Sequence, residues 1–427
     1  MKQTAKTVRR TYYVLTAGNT LAASLIWGIN TIFLLDAGLT NFQAFAANAC
    51  FTAGMVLFEI PTGIVADRWG RRVSFLCGTL TLAASTALYV LLWQLRSPFS
   101  WWAIVSALLG LGFTFFSGAT EAWLVDALTA TRFDGQLESV FGRAQVVTGA
   151  MMLGGSVAGG YLAQLTNLGV PYVARAAILV GVFVLAFFAM HDIGFTPDRE
   201  DRPLTEMKQI LGSSVEHGLK VPAVRAIMLA GMFSGGVGIY VFYALQPYLL
   251  DLWGNPRAYG IAGLVAAIGA GAQIIGGLLT PQVRRAFRRR TSALLILQVV
   301  GVLMLAVIGL IGNFWVVVAA MTLSSLAASA SRPIRQAYLN DMIPSQQRAT
   351  ILSFDSLITS AGGIVAQPVL GKSADIWGYQ VSYLLSAVGT AIALPFIVTA
   401  RNLKAPADSE TAPPPATSSS SAEEMNT

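Results

Sequence analysis

Apolar residues fall in twelve long runs, at 12–35, 43–66, 73–95, 100–128, 140–165, 172–190, 223–250, 258–280, 291–312, 314–339, 350–371 and 379–400. They are 19 to 29 residues long, against the roughly 20 that an α-helix needs to cross a hydrocarbon core. The pattern predicts an all-α membrane protein with twelve transmembrane helices. Polar residues interrupt it on a larger scale in two places, which divides the chain into a six-helix bundle over 1–190, a linker over 191–222, a second bundle over 223–401 and a tail over 402–427. In the linker Leu204, Met207, Ile210, Leu211, Val215 and Leu219 recur at helical spacing, the mark of an amphipathic helix lying at an interface or of a tether covering the bundle floor. The tail is rich in Pro, Ala, Ser and acids, a composition that builds no packed core. The first run is too long for a signal-peptide core and lacks a clear cleavage site, so it is expected to be kept.

Composition narrows the class. With 55% hydrophobic residues, 11% charged and a mean hydropathy of +0.62, an ordinary soluble domain is excluded and the lipid bilayer is the main partner. The net charge of +7 does not indicate nucleic acid, because the basic residues sit in short loops where topology accounts for them. Of the 28 Lys and Arg, all but Arg96, Arg175, Arg257 and Lys372 fall on one side if the helices alternate from a cytoplasmic amino terminus. Both termini are therefore expected in the cytoplasm, and the chain in the cell (inner) membrane as a multi-pass protein. Cys50 and Cys77 lie inside apolar runs and read as reduced thiols. Leu370-Gly-Lys-Ser373 resembles the end of a phosphate loop, but Ala366 stands where its first glycine belongs and no strand precedes it. His191 and His217 have no spaced ligand partners, so no metal, no cofactor and no catalytic constellation is expected, and the chain does not read as an enzyme.

Internal repetition follows. Gly63 and Gly277 close the second and eighth runs, and Ala122-Trp-Leu-Val-Asp126 is echoed by Ala337-Tyr-Leu-Asn-Asp341. Gly159-Gly160 closes the fifth run and Gly371-Lys-Ser-Ala-Asp375-Ile-Trp-Gly378 the eleventh. The expectation is two like halves, each an inverted pair of three-helix repeats. After the second run the chain reads Gly63-Ile-Val-Ala-Asp67-Arg68-Trp-Gly70-Arg71-Arg72, while its second-half counterpart has Pro281 where Asp67 stands. The pattern Gly-x-x-x-Asp-Arg-x-Gly-Arg-Arg resembles the loop between the second and third helices of the major facilitator superfamily of secondary transporters.

That resemblance implies a gate. In the family the loop aspartate, here Asp67, approaches the amino end of helix 11 when the cytoplasmic side is closed, which places it near Thr350 to Asp355. The family's basic residue at Arg71 or Arg72 reaches acids near the end of helix 4, which makes Asp126 its partner. Gly155-Ser-Val-Ala-Gly159-Gly160 resembles the Gly-Pro-x-x-Gly-Gly run of drug/proton antiporters, with Ser156 in place of the proline, and the same glycines serve as helix-packing positions. The family's cavity-lining helices would present Trp27, Asn30, Trp123, Tyr240, Tyr243, Gln246, Ser329 and Arg332 to a small organic substrate.

Carboxylates inside apolar runs are costly and count as functional candidates. Glu121 reads as a proton carrier, its pKa raised by desolvation, and Glu59 as the second candidate. The expected function is secondary active transport of a small organic molecule by alternating access, as proton-coupled efflux powered by the proton gradient, by a monomer. Uptake of a nutrient is the alternative within the class, and a non-transporting receptor or assembly partner the alternative outside it.

Overall fold

The structure, a computed structural model, describes residues 4–197, 219–343 and 348–408, with no strand among them. Thr4 caps α1 (Ala5–Trp27), its Oγ1 accepting the Thr7 N–H at 3.3 Å. The first apolar run does not continue straight. It breaks at Gly28 and Ile29 and resumes as α2 (Asn30–Asp36), bent by 51°. Glycine is required at position 28 by packing, since a Cβ on Gly28 would lie 2.8 Å from the Cα of Gly263. A capping box of Thr40 and Gln43 starts α3 (Asn41–Trp69), and Gly70, at φ +104°, turns the chain into α4 (Arg71–Leu95). The fourth run, expected to be continuous, is two helices, α5 (Phe99–Thr114) and α6 (Ala119–Ala130), separated by a turn with Gly118 at φ +67°. The first half closes with α7 (Leu137–Leu165) and α8 (Gly169–Ala189).

The second half begins at Pro222, whose missing N–H suits a first helical turn, with α9 (Pro222–Trp253) followed by α10 (Tyr259–Leu278). Where the first half turns directly from α3 into α4, Pro281 here opens an extra short helix, α11 (Thr280–Ala286). Then come α12 (Arg290–Leu310), α13 (Phe314–Met342), α14 (Arg348–Ala391) and α15 (Ala393–Asn402). The long α14 is two crossings. Gly378 interrupts it at φ 80°, ψ 171°, and the Ser382 hydroxyl reaches the Leu370 carbonyl at 2.9 Å, although twelve residues of straight helix would separate them by about 18 Å.

Ten helical stretches are long and apolar enough to cross a bilayer, and the bent α1–α2 pair makes an eleventh. One of the ten, Ile351–Asn402, turns back at Gly378 and counts twice. The described residues therefore make twelve crossings, with α1 beginning and α15 ending at the same end of the bundle, called proximal below. Trp69, Trp101, Trp253, Trp315 and Trp377 are all exposed and sit in the end turns of their helices, as expected where amphipathic rings meet the headgroups.

Each half repeats one tether. Asp192, after α8, accepts the Arg72 N–H at the start of α4 at 2.9 Å. Asp408 accepts the Thr291 N–H at the start of α12 at 2.8 Å and is 2% exposed. Residues 402–408, expected to begin an unstructured tail, are thus ordered against the bundle through Ala405, Ala407 and Asp408, which are buried, because Asp408 supplies this cap. The rest of the tail, and the amphipathic pattern of the linker, lie outside the described residues.

The cores show how the halves join. Contacts between halves run mainly along two seams, α3 against α14 and α7 against α10, with α2 also touching α9. The distal core of the first half, around Phe33, Trp102 and Tyr172, takes in Leu250, Ala258 and Ala262 from the second. The distal core of the second half, around Tyr240, Tyr248 and Tyr383, takes in Phe45 from the first. The proximal cores stay separate: the one around Tyr12, Phe75 and Trp123 holds only first-half residues, and the one around Ile227, Tyr338 and Ile397 only second-half residues. The halves are knit together distally and kept apart proximally.

Candidate functional site

The distal seam is closed by a charge on a helix end. Both oxygens of Asp375, on α14, accept backbone N–H groups of α3, from Asn41 at 2.8 Å and Phe42 at 2.9 Å. These are two of the donors that a helix start leaves unpaired, and the dipole favours an anion there. The Tyr379 hydroxyl donates to the Asn41 side chain beside them. Deeper in, Gln246 bridges the halves, its Nε2 donating to the Trp27 carbonyl at 2.7 Å and its Oε1 accepting the Thr31 N–H at 3.0 Å. The glycine run of α7 sits where backbones touch. A Cβ on Gly159 would lie 1.7 Å from the Leu25 carbonyl oxygen, one on Gly155 2.0 Å from the Ser24 hydroxyl, and one on Gly160 2.6 Å from the Tyr259 carbonyl oxygen across the seam.

Asp375 belongs to Gly371-x-x-x-Asp375-x-x-Gly378, the same spacing as Gly63-x-x-x-Asp67-x-x-Gly70 at the proximal end. The closing glycines share a conformation, φ 104°, ψ 154° at Gly70 and φ 80°, ψ 171° at Gly378. One local device therefore stands at both ends, inverted, and that repeated spacing was the signal in the sequence.

At the proximal end the device is disengaged. Asp67 pairs with Arg71 one turn along, and its side chain is 53% exposed. A Cβ on Gly63 would meet nothing within 4 Å. The basic residues do not reach Asp126 as expected. The Arg72 guanidinium donates to the Phe187 carbonyl, and Arg71 lies 5.8 Å from the Phe195 ring. The α8 end and the loop after it occupy this ground, with Asp192 against Gly70, where a Cβ would meet its Oδ2 at 2.2 Å. Burial pushes the Asp192 carboxyl above its usual range, against the pull of the Arg72 N–H and of the Arg72 and Arg71 charges. Arg68 follows Asp67 in the last turn of α3.

The expected cavity residues divide. Trp27, Asn30 and Tyr243 are partly exposed where the halves meet, with the Trp27 and Tyr243 rings 5.3 and 5.2 Å from that of Phe242. Trp123 does not line a cavity: it is 1% exposed in the proximal core and donates its indole N–H to the His191 carbonyl at 2.9 Å. Tyr240 is fully buried against Phe45 and Ser382, and Gln246 is spent on its bridge. Ser329 donates to the Gln273 carbonyl and packs α13 on α10. Arg332 is exposed, whereas Arg335, one turn along, makes a bidentate pair with the buried Asp355 on α14.

The two candidate acids flank the break in the fourth run. Glu59 accepts the hydroxyl of Ser117, within the break, at 2.6 Å. Glu121 lies in the first turn of α6 just beyond it and is exposed. The burial inside the protein expected of Glu121 is therefore not seen in this conformation.

A residue of a different kind is Arg175, which in the sequence stands out only as an exception to the charge asymmetry. It is 4% exposed inside the first-half bundle, with its guanidinium 5.9 Å from the Phe113 ring. The available signal was its position within an apolar run.

A two-half helical membrane protein, sealed at one end by paired helix-end contacts and with polar groups at the meeting of its halves, has the build of a solute carrier. A family model described as Major Facilitator Superfamily matches residues 12–311 and again 228–424. The chain belongs to the major facilitator superfamily of transporters. It is 22% identical over 385 residues to an uncharacterized MFS-type transporter, YxaM, of Bacillus subtilis (strain 168), covering 88% of this chain and 92% of that one. Its fold is similar to that of the nucleoside transporter NupG, with TM-score 0.77, 12% identity, and 92% and 98% of the two chains covered. It is also similar to a bacterial homolog of the human lysosomal transporter Spinster in an inward-facing, unoccupied conformation, with TM-score 0.70, 15% identity, and 95% and 98% covered. The drug/proton antiporter resemblance of α7 finds no support in these comparisons.

Proposed function

We propose that the chain moves a small organic solute across the cell membrane by alternating access, as proton-driven efflux, with the proximal end and both termini in the cytoplasm. The observation that carries the reading is the asymmetry of the cores: distal cores that interpenetrate, proximal cores that do not. A bundle so joined opens toward one side of the bilayer. The inverted Gly-x-x-x-Asp-x-x-Gly device supplies a matching closure for the other state, with Asp67 on the amino end of α14 replacing Asp375 on that of α3. The side assignment rests on the Lys and Arg distribution. Proton coupling rests on Glu59 and Glu121, intramembrane carboxylates placed at the α5–α6 break.

The test is flux in proteoliposomes, with counterflow and gradient-driven arms, across a panel of organic acids, amines and neutral compounds. Solute movement that follows an imposed pH gradient supports the reading, and its sign relative to the proton flux fixes the direction. Counterflow without any response to the gradient removes proton coupling, and no flux of any compound in either arm removes transport.

A further inference from the structure

We propose that Arg175, with Asn48, Asn30 and Tyr172, forms a subsite for an anionic group, carboxylate or phosphate, of the solute, an inference that rests on the transport reading above. A cation inside an apolar run needs a partner, and this chain provides one elsewhere, the Asp355 carboxylate for Arg335. Arg175 has none. Its surroundings are the Phe113 ring, Tyr172 and Tyr89 from its own half and Tyr243 from the other, and among the described residues it makes no ion pair and no side-chain hydrogen bond. Its Nε is buried without an acceptor.

A second unspent donor ends a hydrogen-bond chain that starts at Tyr172, one of the rings beside Arg175. Tyr172, three residues before Arg175, donates to Asn30 Oδ1 at 3.0 Å, and Asn30 donates in turn to Asn48 Oδ1 at 3.1 Å. Asn48 is 8% exposed, and its Nδ2 is buried without a partner. A buried guanidinium without a carboxylate, with an unused amide donor at the far end of the Tyr172–Asn30–Asn48 chain, calls for an acceptor-rich, negatively charged occupant, and the planar Arg fork matches carboxylate and phosphate oxygens.

The place in the fold gives the subsite a role. Asn30 opens α2 directly after the break at Gly28, and Thr31 beside it is held by Gln246 of the other half. An anion drawn to Arg175 thus sits beside the element by which the distal seal holds the two halves together, so its occupancy bears on the seal.

The experiment titrates the full chain in lipid nanodiscs with benzoate, phenyl phosphate and, as a neutral control, benzyl alcohol, followed calorimetrically. The expected result is that at least one anion binds tenfold or more tightly than the alcohol, that Arg175→Gln loses that preference, and that Arg175→Lys keeps part of it. Preference for benzoate assigns a carboxylate, and preference for phenyl phosphate assigns a phosphate. No anion binding, equal binding of all three probes, or an unchanged preference in a well-folded Arg175→Gln overturns the proposal. Should Arg175→Gln fail to fold, Asn48→Leu decides, with a weakened anion preference supporting the subsite and an unchanged one overturning it. Anion binding without flux in proteoliposomes leaves the subsite standing and removes the transport reading, while gradient-driven flux of neutral solutes without anion binding does the reverse.

Discussion

Asp375→Asn should loosen the distal seal without unfolding the protein. Asparagine keeps the size of the side chain but offers one carbonyl oxygen where the carboxylate offers two, so one of the Asn41 and Phe42 N–H groups loses its acceptor. That loss is worth about 0.5–1.5 kcal/mol, and removing the negative charge from an exposed helix start about 0.3–1 kcal/mol more. Together they amount to about 1–2.5 kcal/mol, or roughly a 5- to 70-fold change in the ratio of distally closed to distally open molecules. A parent that is closed 99 times in 100 would become a mixture ranging from about 95:5 to about 60:40. Spin labels on Thr166→Cys and Asn255→Cys, both exposed at the distal end, report the change as a second, longer distance in pulsed electron resonance. Asp67→Asn should act with opposite sign, because Asp67 is disengaged from α14 here and its loss weakens only the alternative state. Identical distance distributions in the parent and Asp375→Asn would refute the gating argument, as would a shift of the same sign in both variants.

The remaining predictions concern coupling, packing and pH. Glu121→Gln should abolish gradient-driven movement while leaving counterflow intact if Glu121 carries the proton; normal driven transport excludes that role, and loss in Glu59→Gln alone moves it to α3. Gly159→Ala should destabilise the protein by about 1–3 kcal/mol through overpacking, since its Cβ would meet the Leu25 carbonyl, and a thermal melt in detergent equal to the parent's would contradict the α1–α7 contact. For Asp192, whose folded carboxyl titrates above its usual range, the folded state holds the proton longer than the unfolded chain does. Its contribution to stability therefore falls as pH rises from about 4 toward the raised value. Asp192→Asn should flatten that part of the melting temperature against pH, and an unchanged slope would count against the burial argument.

Much of the fold was legible because crossing a bilayer sets a minimum length that hydropathy measures directly. The breaks were not legible for a related reason. Gly28-Ile29 and Phe115-Phe-Ser-Gly118 keep the run apolar, and Gly28 is needed because of a residue more than two hundred positions away, Gly263. The cavity assignments erred at Trp123 and Tyr240 because a helix buried on several sides has no polar face to orient it. Both rings turned out to be core. The Arg72 partner was misplaced for a different reason: the loop after α8, with Asp192 and Phe195, fills the space that Asp126 was expected to share.

The distal gate was present in the sequence, but its glycines alone did not reveal it. What gives Asp375 its meaning is the coincidence of spacing and backbone conformation with the segment ending at Gly70, together with the state in which the two ends are found. When Asp375 is seated on α3, Asp67 is paired within its own segment and half exposed. If the proposed exchange of Asp67 onto α14 occurs, two like contacts, each worth only a few kcal/mol at most, would oppose each other across the bundle, and the conformational preference would be the small difference between them. Such a balance lets a modest differential interaction with solute or proton reverse the populations. A single strong lock would hold the chain in one state against any such signal.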